Sequence, residues 1–337
     1  MTSPAEAYAE SLIGQPGSRW KLPTPALVVD LDAFDANIAK MAARAEDAGV
    51  ALRPHAKTHK SAFIAGRQME MGAVGVCCAK LGEAEALAEA GVADILVTSP
   101  IASPELAQRA AALVRRGGRL AVSVDDPRGV AVLAEASNAA GVRITVQIDV
   151  DVGTRRTGVA DVEHALVLAG AIAAAPQLTL RGVQGYGGQW QHAVGADKRM
   201  EVAQEGMARL SAVVQALRGH GHDCPVVTGG GTGTNTADLA LGVLNELQPG
   251  SYIFMDNQYV DALGGDEDGA FATSLFVQAQ VISANAPRWV TLDAGLKAFA
   301  TDGPPPRPAT APFAHDGYFF FGDEHGGLMR PDGGPVA

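Results

Sequence analysis

Two short stretches hold residue types that chemistry would use. RPHAKTHK (53–60) sets Lys57 among Arg53, His55, His59 and Lys60. A lysine attacks a carbonyl only as the neutral amine, so a Schiff-base lysine needs burial or nearby cations to lower its pKa. The basic neighbours supply the cations. Lys60 could take the role by proximity, but Lys57 lies nearer the preceding apolar run. A solvated basic loop is the ordinary alternative. TGGGTGT (228–234) is the second stretch. Consecutive glycines let backbone N–H groups converge on an anion, and a following helix N-terminus adds a favourable dipole. No Gly-Lys-Ser/Thr follows, so this is not a nucleotide P-loop. A tight turn that needs glycine for steric reasons would look the same.

The elements that must position these residues alternate. Short β-rich runs are read at ALRPHAK (51–57), GVCCAK (75–80), ADILVTS (93–99), RLAVSVD (119–125), RITVQIDV (143–150), LTLRGVQGYG (178–187), PVVTGGG (225–231) and GSYIFMD (250–256). Ala-rich helical stretches such as EAEALAEAG (83–91) and PELAQRAAALVRRG (104–117) lie between them and end at glycine, as helix C-termini do. Strands alternating with helices pair in parallel through right-handed crossovers. Eight such units predict a (β/α)8 TIM-type barrel rather than an open doubly wound sheet of five or six strands. A strand and helix at 25–49 lead in, and the barrel is placed over residues 25–260. After Asp256 the period changes. SLFVQAQVIS (274–283), RWVTLDAG (288–295) and GYFFFGDEHG (317–326) predict a smaller β domain, built from 1–24 and 261–337, with TDGPPPRPATAP (301–312) as a loop.

In such a barrel the active site lies at the C-terminal ends of the strands. That rule selects Lys57 and His59, Lys80, Asp149 and Asp151, Arg155 and Arg156, Tyr186 and His192, Gly229 to Thr232, and Tyr252, Asp256 and Tyr259. A glycine turn after the seventh strand is the usual phosphate place. With a reactive lysine across the barrel it suits a phosphorylated aldehyde, and pyridoxal 5′-phosphate is the obvious one.

Composition removes other classes. The 337 residues are 47% hydrophobic and 19% charged, with a formal charge of -11. Such an acidic chain is a poor phosphate-neutralising surface, which argues against nucleic acid and anionic membranes as partners. Cys77, Cys78 and Cys224 cannot build a disulfide framework, and no apolar run is long enough for a bilayer. The opening MTSPAEAYAE lacks a basic region followed by an apolar one. A cytoplasmic location is expected.

In this order, RPHAKTHK, GVCCAKLGEAEAL (75–87), VDVGTRRTGV (150–159), GYGGQWQH (185–192), TGGGTGT, ELQPGSYIFMD (246–256), LDAGLKA (292–298) and GDEHG (322–326) resemble the fold-type III pyridoxal-phosphate enzymes of the D-threonine aldolase and D-serine dehydratase group. The likeness runs from about Thr24 to Leu328. It implies an alanine-racemase-like barrel with a β domain and a homodimer. It implies that Lys57 bonds to pyridoxal phosphate, with Arg156 at the cofactor ring and Arg155 as the alternative. Gly230, Gly231 and Thr232, helped by Tyr252, would cradle the phosphate, and Tyr186 would pack near the cofactor. His192 would relay a proton from a substrate hydroxyl. Two departures stand out. Ala79 follows the cysteine pair where the group usually has a polar residue. The group also holds a divalent metal, of Mn or Zn type, in a His-x-Asp or His-x-Cys segment, whereas this chain closes with PDGGPVA (331–337). The expectation is therefore a truncated form or a protein without that metal site, with the ligands unknown and Glu324 and His325 no substitute.

The activity expected is cleavage of a D-3-hydroxy amino acid to glycine and an aldehyde. The alternatives are a D-serine or 3-hydroxyaspartate dehydratase, an amino-acid racemase needing a second base, and a pyridoxal-phosphate carrier without turnover. A carrier would lack the second domain.

Overall fold

The structure is a computed structural model that describes residues 3–264 and 270–334. The chain enters through α1 (Pro4–Ser11), β1 (Ala26–Val29) and α2 (Leu31–Asp47). It then lays down eight parallel strands: β2 (Ala51–Leu52), β3 (Val76–Cys78), β4 (Ile95–Val97), β5 (Leu120–Val124), β6 (Ile144–Asp149), β7 (Leu178–Gly185), β8 (Val226–Gly229) and β9 (Glu246–Leu247). The helices between them are α3 (Ala62–Glu70), α4 (Leu81–Glu89), α5 (Pro104–Arg115), α6 (Pro127–Ala140), α7 (Val162–Ala173), α8 (Ala196–Gly219) and α9 (Asn235–Leu241). Val76 to Cys78 and Ile95 to Val97 are buried throughout, as strands sandwiched between helices and barrel interior must be. Helix starts are written locally. Ser103 accepts the Leu106 N–H at 3.2 Å with Pro104 at the first helical position, and Asp161 does the same for His164 at 3.0 Å.

The sheet order is β2-β9-β8-β7-β6-β5-β4-β3. The circle closes between β2 and β3, where Val74 N–H reaches the Leu52 carbonyl at 2.9 Å and Cys77 N–H the Pro54 carbonyl at 2.8 Å. The (β/α)8 barrel expected from strand count is therefore present. Its eighth strand is displaced from the expected place. Glu246–Leu247 pairs with Ala51–Leu52, and GSYIFMD instead carries a 3₁₀ turn at Ser251–Ile253. Pro249 has no N–H to extend the ladder, and its carbonyl is spent on the His55 N–H at 2.9 Å.

Alternate positions on the strands build two polar layers inside the barrel. Arg53, Gln147, Arg181 and Glu246 form the lower one. Arg53 Nε lies 3.0 Å from Glu246 Oε2 as an ion pair without hydrogen-bond alignment, and Arg53 also bonds Asp94 Oδ1 at 2.8 Å. Arg181 donates to the same Glu246 oxygen and, at 3.1 Å, to Gln147 Oε1. His55, Asp149, Gln184 and Gln248 stand above. On β7 the step from Arg181 to Gln184 is three residues because the ladder shifts register between Leu180 and Gly182. Gly182 permits this at φ +149°; a Cβ there would lie 1.9 Å from the Val226 carbonyl oxygen.

Contacts divide the chain into two compact units. The barrel unit is Asp35–Phe254 with Tyr259–Ala272, the latter beginning inside α10 (Asn257–Leu263). The smaller unit comprises the described parts of Met1–Phe34, Met255–Gln258 and Thr273–Ala337. Within it β1 pairs antiparallel with β10 (Leu275–Gln278). A separate antiparallel sheet of order β11-β12-β14-β13 joins β11 (Val281–Ser283), β12 (Trp289–Leu292), β13 (Gly317–Phe320) and β14 (Gly326–Met329). The stretch read as one strand at 274–283 is thus two, and β14 was not anticipated. Val290, Leu292 and Leu328 form this sheet's core, with Phe313 and Tyr318 packed against it.

The Glu246 and Arg53 side chains are only 5% and 4% exposed. Glu246→Ala leaves buried Arg53 with Asp94 alone and the partly buried Arg181 without its carboxylate, and should destabilise the barrel by about 3 kcal/mol. Urea unfolding measures this; an unchanged midpoint would show that the ion pairs do not secure the closing strands.

Candidate active site

Lys57 sits in a 3₁₀ turn, Ala56–Thr58, directly after β2. The turn is capped by His55, whose Nδ1 accepts the Lys57 backbone N–H at 3.4 Å. Its Nε2 faces Thr98 Oγ1 at 3.2 Å, and that hydroxyl donates to the Cys78 carbonyl, also at 3.2 Å. An accepting Nδ1 and a hydroxyl already committed as donor assign the proton to Nε2. Burial foremost, then the charges of Lys57, His59 and Arg156, push this imidazole down to about 3. His55 is therefore a neutral support for the lysine turn.

The upper polar layer floors a cavity of about 310 Å³ at the C-terminal ends of the strands. Lys57, Lys80, Asp149, Arg156, Tyr186 and Gln248 are among its walls. Lys57 Nζ and the Arg156 guanidinium both approach the Tyr186 ring, at 5.2 and 5.7 Å from its centroid. By surface area Lys57 is exposed, because it stands free in an open cavity. The surrounding walls still desolvate its ammonium. Burial first and the Arg156 charge second lower the Lys57 pKa. Asp149 moves the other way. Burial raises its carboxyl to about 6, against hydrogen bonds from Thr157 and Gln184 and the charge of Arg156. Gln184 Nε2 donates to Asp149 Oδ1 at 2.9 Å and to the Thr98 carbonyl at 2.7 Å. Gln147 Nε2 donates to Gln184 Oε1 at 3.0 Å, so the lower layer holds the upper one.

Lys57, Arg156 and Tyr186 thus line one cavity. Arg155 is not among its walls; its N–H bonds Asp151 Oδ1 at 3.0 Å. Gly230, Gly231, Thr232, Tyr252 and His192 also lie outside its walls. The glycine turn follows β8, with Gly230 at φ +70°. Tyr252 is fully buried; its hydroxyl accepts from Gln68 at 2.8 Å and its N–H donates to Thr232 Oγ1 at 3.0 Å. His192 packs against Tyr259 with ring centroids 4.4 Å apart, and its Nδ1 is buried without a hydrogen-bond partner. Asp149 was selected only as a strand-end residue, Gln184 and Gln248 received no role, and His55, expected to supply positive charge beside Lys57, is instead kept neutral by burial. The available signal was polar residues two apart within apolar strands: Arg53 and His55, Gln147 and Asp149, Glu246 and Gln248.

The alanine racemase N-terminal domain family matches residues 29–258, and a putative serine dehydratase domain matches 274–336. The chain belongs to the alanine-racemase-like group that includes the D-threonine aldolases. A D-threonine aldolase of Arthrobacter sp. is 40% identical over 334 residues, covering 96% of this chain and 86% of that one. A 3-hydroxy-D-aspartate aldolase of Paracoccus denitrificans (strain Pd 1222) is 38% identical over 93% of this chain and 82% of its own. The crystal structure of D-threonine aldolase from Filomicrobium marinum superposes with a TM-score of 0.87 at 39% identity, covering 92% and 82% of the two chains. The group is one of fold-type III pyridoxal-phosphate enzymes, and the residues present fit that cofactor. An amine with lowered pKa, a guanidinium and an aromatic face share the cavity, and a glycine turn follows the neighbouring strand. Among the described residues no three His, Cys, Asp or Glu side chains come together to hold a metal ion.

Replacing Arg156 by Met removes the cation that opposes protonation of Lys57. The Lys57 pKa should rise part of the way toward an ordinary lysine, since burial remains. NMR titration of ¹³C-methylated lysines in the apoprotein follows it; an unmoved Lys57 would assign the whole effect to burial.

Proposed function

We propose that this chain cleaves D-3-hydroxy amino acids of the D-threonine type to glycine and an aldehyde. What supports the reading is the cavity shared by Lys57, Arg156 and Tyr186, in a chain similar over nearly its whole length to aldolases. Pyridoxal phosphate, when bound, supplies an aldehyde that amines attack and a ring that takes up the electrons of the broken bond. The residues of this chain do the rest. Lys57, whose pKa burial and Arg156 lower, is the amine that would meet the aldehyde. Arg156 would hold a fixed positive charge beside the ring, and Tyr186 would pack near it. The turn at Gly230, Gly231 and Thr232 would receive the phosphate, its shape held by hydrogen bonds from the Gly231 N–H to Asp238 and from the Tyr252 N–H to Thr232 Oγ1. His192, whose Nδ1 lacks a partner, accepts the proton of the substrate hydroxyl. Asp149 in its ionised form balances the charge of Arg156. A homodimer in the cytoplasm completes the reading; no helix among the described residues is long and apolar enough to cross a membrane.

Incubation with D-threonine, with and without Mn²⁺, should release glycine and acetaldehyde, and Lys57→Ala should abolish it. A keto acid and ammonia would make the chain a dehydratase, and undiminished cleavage by Lys57→Ala would overturn the lysine's role. His192→Asn should slow cleavage about 10²–10⁴-fold. Asp149 loses its charge as pH falls through about 6, so the rate should drop there. Asp149→Asn should be slow at all pH and lack that limb; an unaltered profile would remove Asp149 from the account.

A further inference from the structure

We propose that Gln191 is the positioning residue for the phosphate end of the site: a buried amide that sets the glycine turn in the shape that receives a phosphoester. The proposal rests on the reading of the turn as the cofactor's phosphate site. Gln191 is 1% exposed and follows the 3₁₀ turn Gly188–Trp190 in the loop after β7. The turn it holds belongs to the loop after β8. Its Oε1 accepts from Gly233 N at 2.8 Å and from Thr234 N at 3.3 Å. Its Nε2 donates to the Gly187 carbonyl at 3.3 Å and to Thr234 Oγ1 at 2.9 Å. Two acceptor sites and two protons are all that a primary amide offers, and all four are used. The amide cannot be flipped, because two backbone donors face its oxygen.

The packing is as tight as the hydrogen bonding. A Cβ on Gly231 would lie 2.4 Å from Gln191 Oε1, and one on Gly233 would lie 1.9 Å from the Gln191 carbonyl oxygen. These glycines therefore serve to let the turn lie directly on Gln191. From the other side Asp238 Oδ2 accepts from Gly231 N at 3.2 Å and from Thr234 Oγ1 at 2.6 Å. The Thr234 hydroxyl accepts from Gln191 and donates to Asp238, so the two buried side chains grip one residue between them. The N–H groups of Gly231, Gly233 and Thr234 are consumed by protein partners. The conformation of the turn is thus fixed before an anion arrives, and a site already in its binding shape loses less free energy to reorganisation. Gln191 acts through the turn, without itself supplying a group to the ligand.

The test compares pyridoxal phosphate with pyridoxal, which lacks the phosphate, in absorbance titrations of the apoprotein. Gln191→Leu removes all four hydrogen bonds. Gln191→Glu keeps size and acceptor oxygens, but loses both donors and adds negative charge beneath the turn. Both variants should weaken pyridoxal phosphate about tenfold or more, leave pyridoxal affinity unchanged and so collapse the ratio between the two ligands. Equal losses for both ligands, or no loss, would overturn the proposal. If Gln191→Leu does not fold, Gln191→Glu decides alone. Wild-type protein that binds pyridoxal as tightly as its phosphate would remove the phosphate site itself, and the proposal with it. That result is seen without any variant, so the two failures are distinct.

Discussion

The Arg53–Glu246–Arg181 ion pairs secure the seam between the two shortest strands of the barrel. β2 and β9 share only the pairs Ala51↔Glu246 and Leu52↔Leu247, and ladders that short hold little by themselves. Glu246 on one closing strand faces Arg53 on the other, with Arg181 of β7 on the same oxygen. A buried carboxylate with two guanidinium partners tolerates little displacement, because any gap leaves charge unpaired in a poorly polarisable interior. Lys57 is four residues beyond Arg53, so the place of its amine follows from this seam.

Above the seam, each group in the upper layer has the charge state that the lysine requires. A protonated His55 would add a second cation beside Lys57, but burial keeps it neutral and committed to Thr98 and the lysine turn. Burial raises the Asp149 carboxyl to about 6, and Gln184 and Thr157 hold its carboxylate by hydrogen bonds. Arg156 remains the dominant charge acting on Lys57. Desolvation and one fixed cation together act on the amine, the combination that lowers a lysine pKa most directly.

How much of this was legible in the sequence depended on range. Lys57, Arg156 and Tyr186 were found because each ends a strand or follows one closely, and barrel topology converts that position into a place at the mouth. The eighth strand was misplaced because two residues before a proline carry no alternation, while SYIF does read as β. The polar layers were half legible. Pairs two apart on β2, β6 and β9 are visible in the letters, but on β7 the register shift at Arg181 puts the partners three apart and hides the pattern. Gln191 was invisible, because its meaning depends on a turn some forty residues downstream in a different loop. The pairing of His192 with Tyr259 is tertiary in the same way.

The grip of Gln191 across two loops also bears on what the scaffold can become. Loops after the strands of such barrels are where new specificities ordinarily arise, since they can lengthen without disturbing the core. Here the loops after β7 and β8 are fastened to each other at atomic contact, so an insertion in either would unfasten both. Adaptive freedom is left to the loops after β3, β4 and β5, on the opposite rim. A lineage built on this barrel would vary from that rim while keeping the joined loops after β7 and β8 as they are.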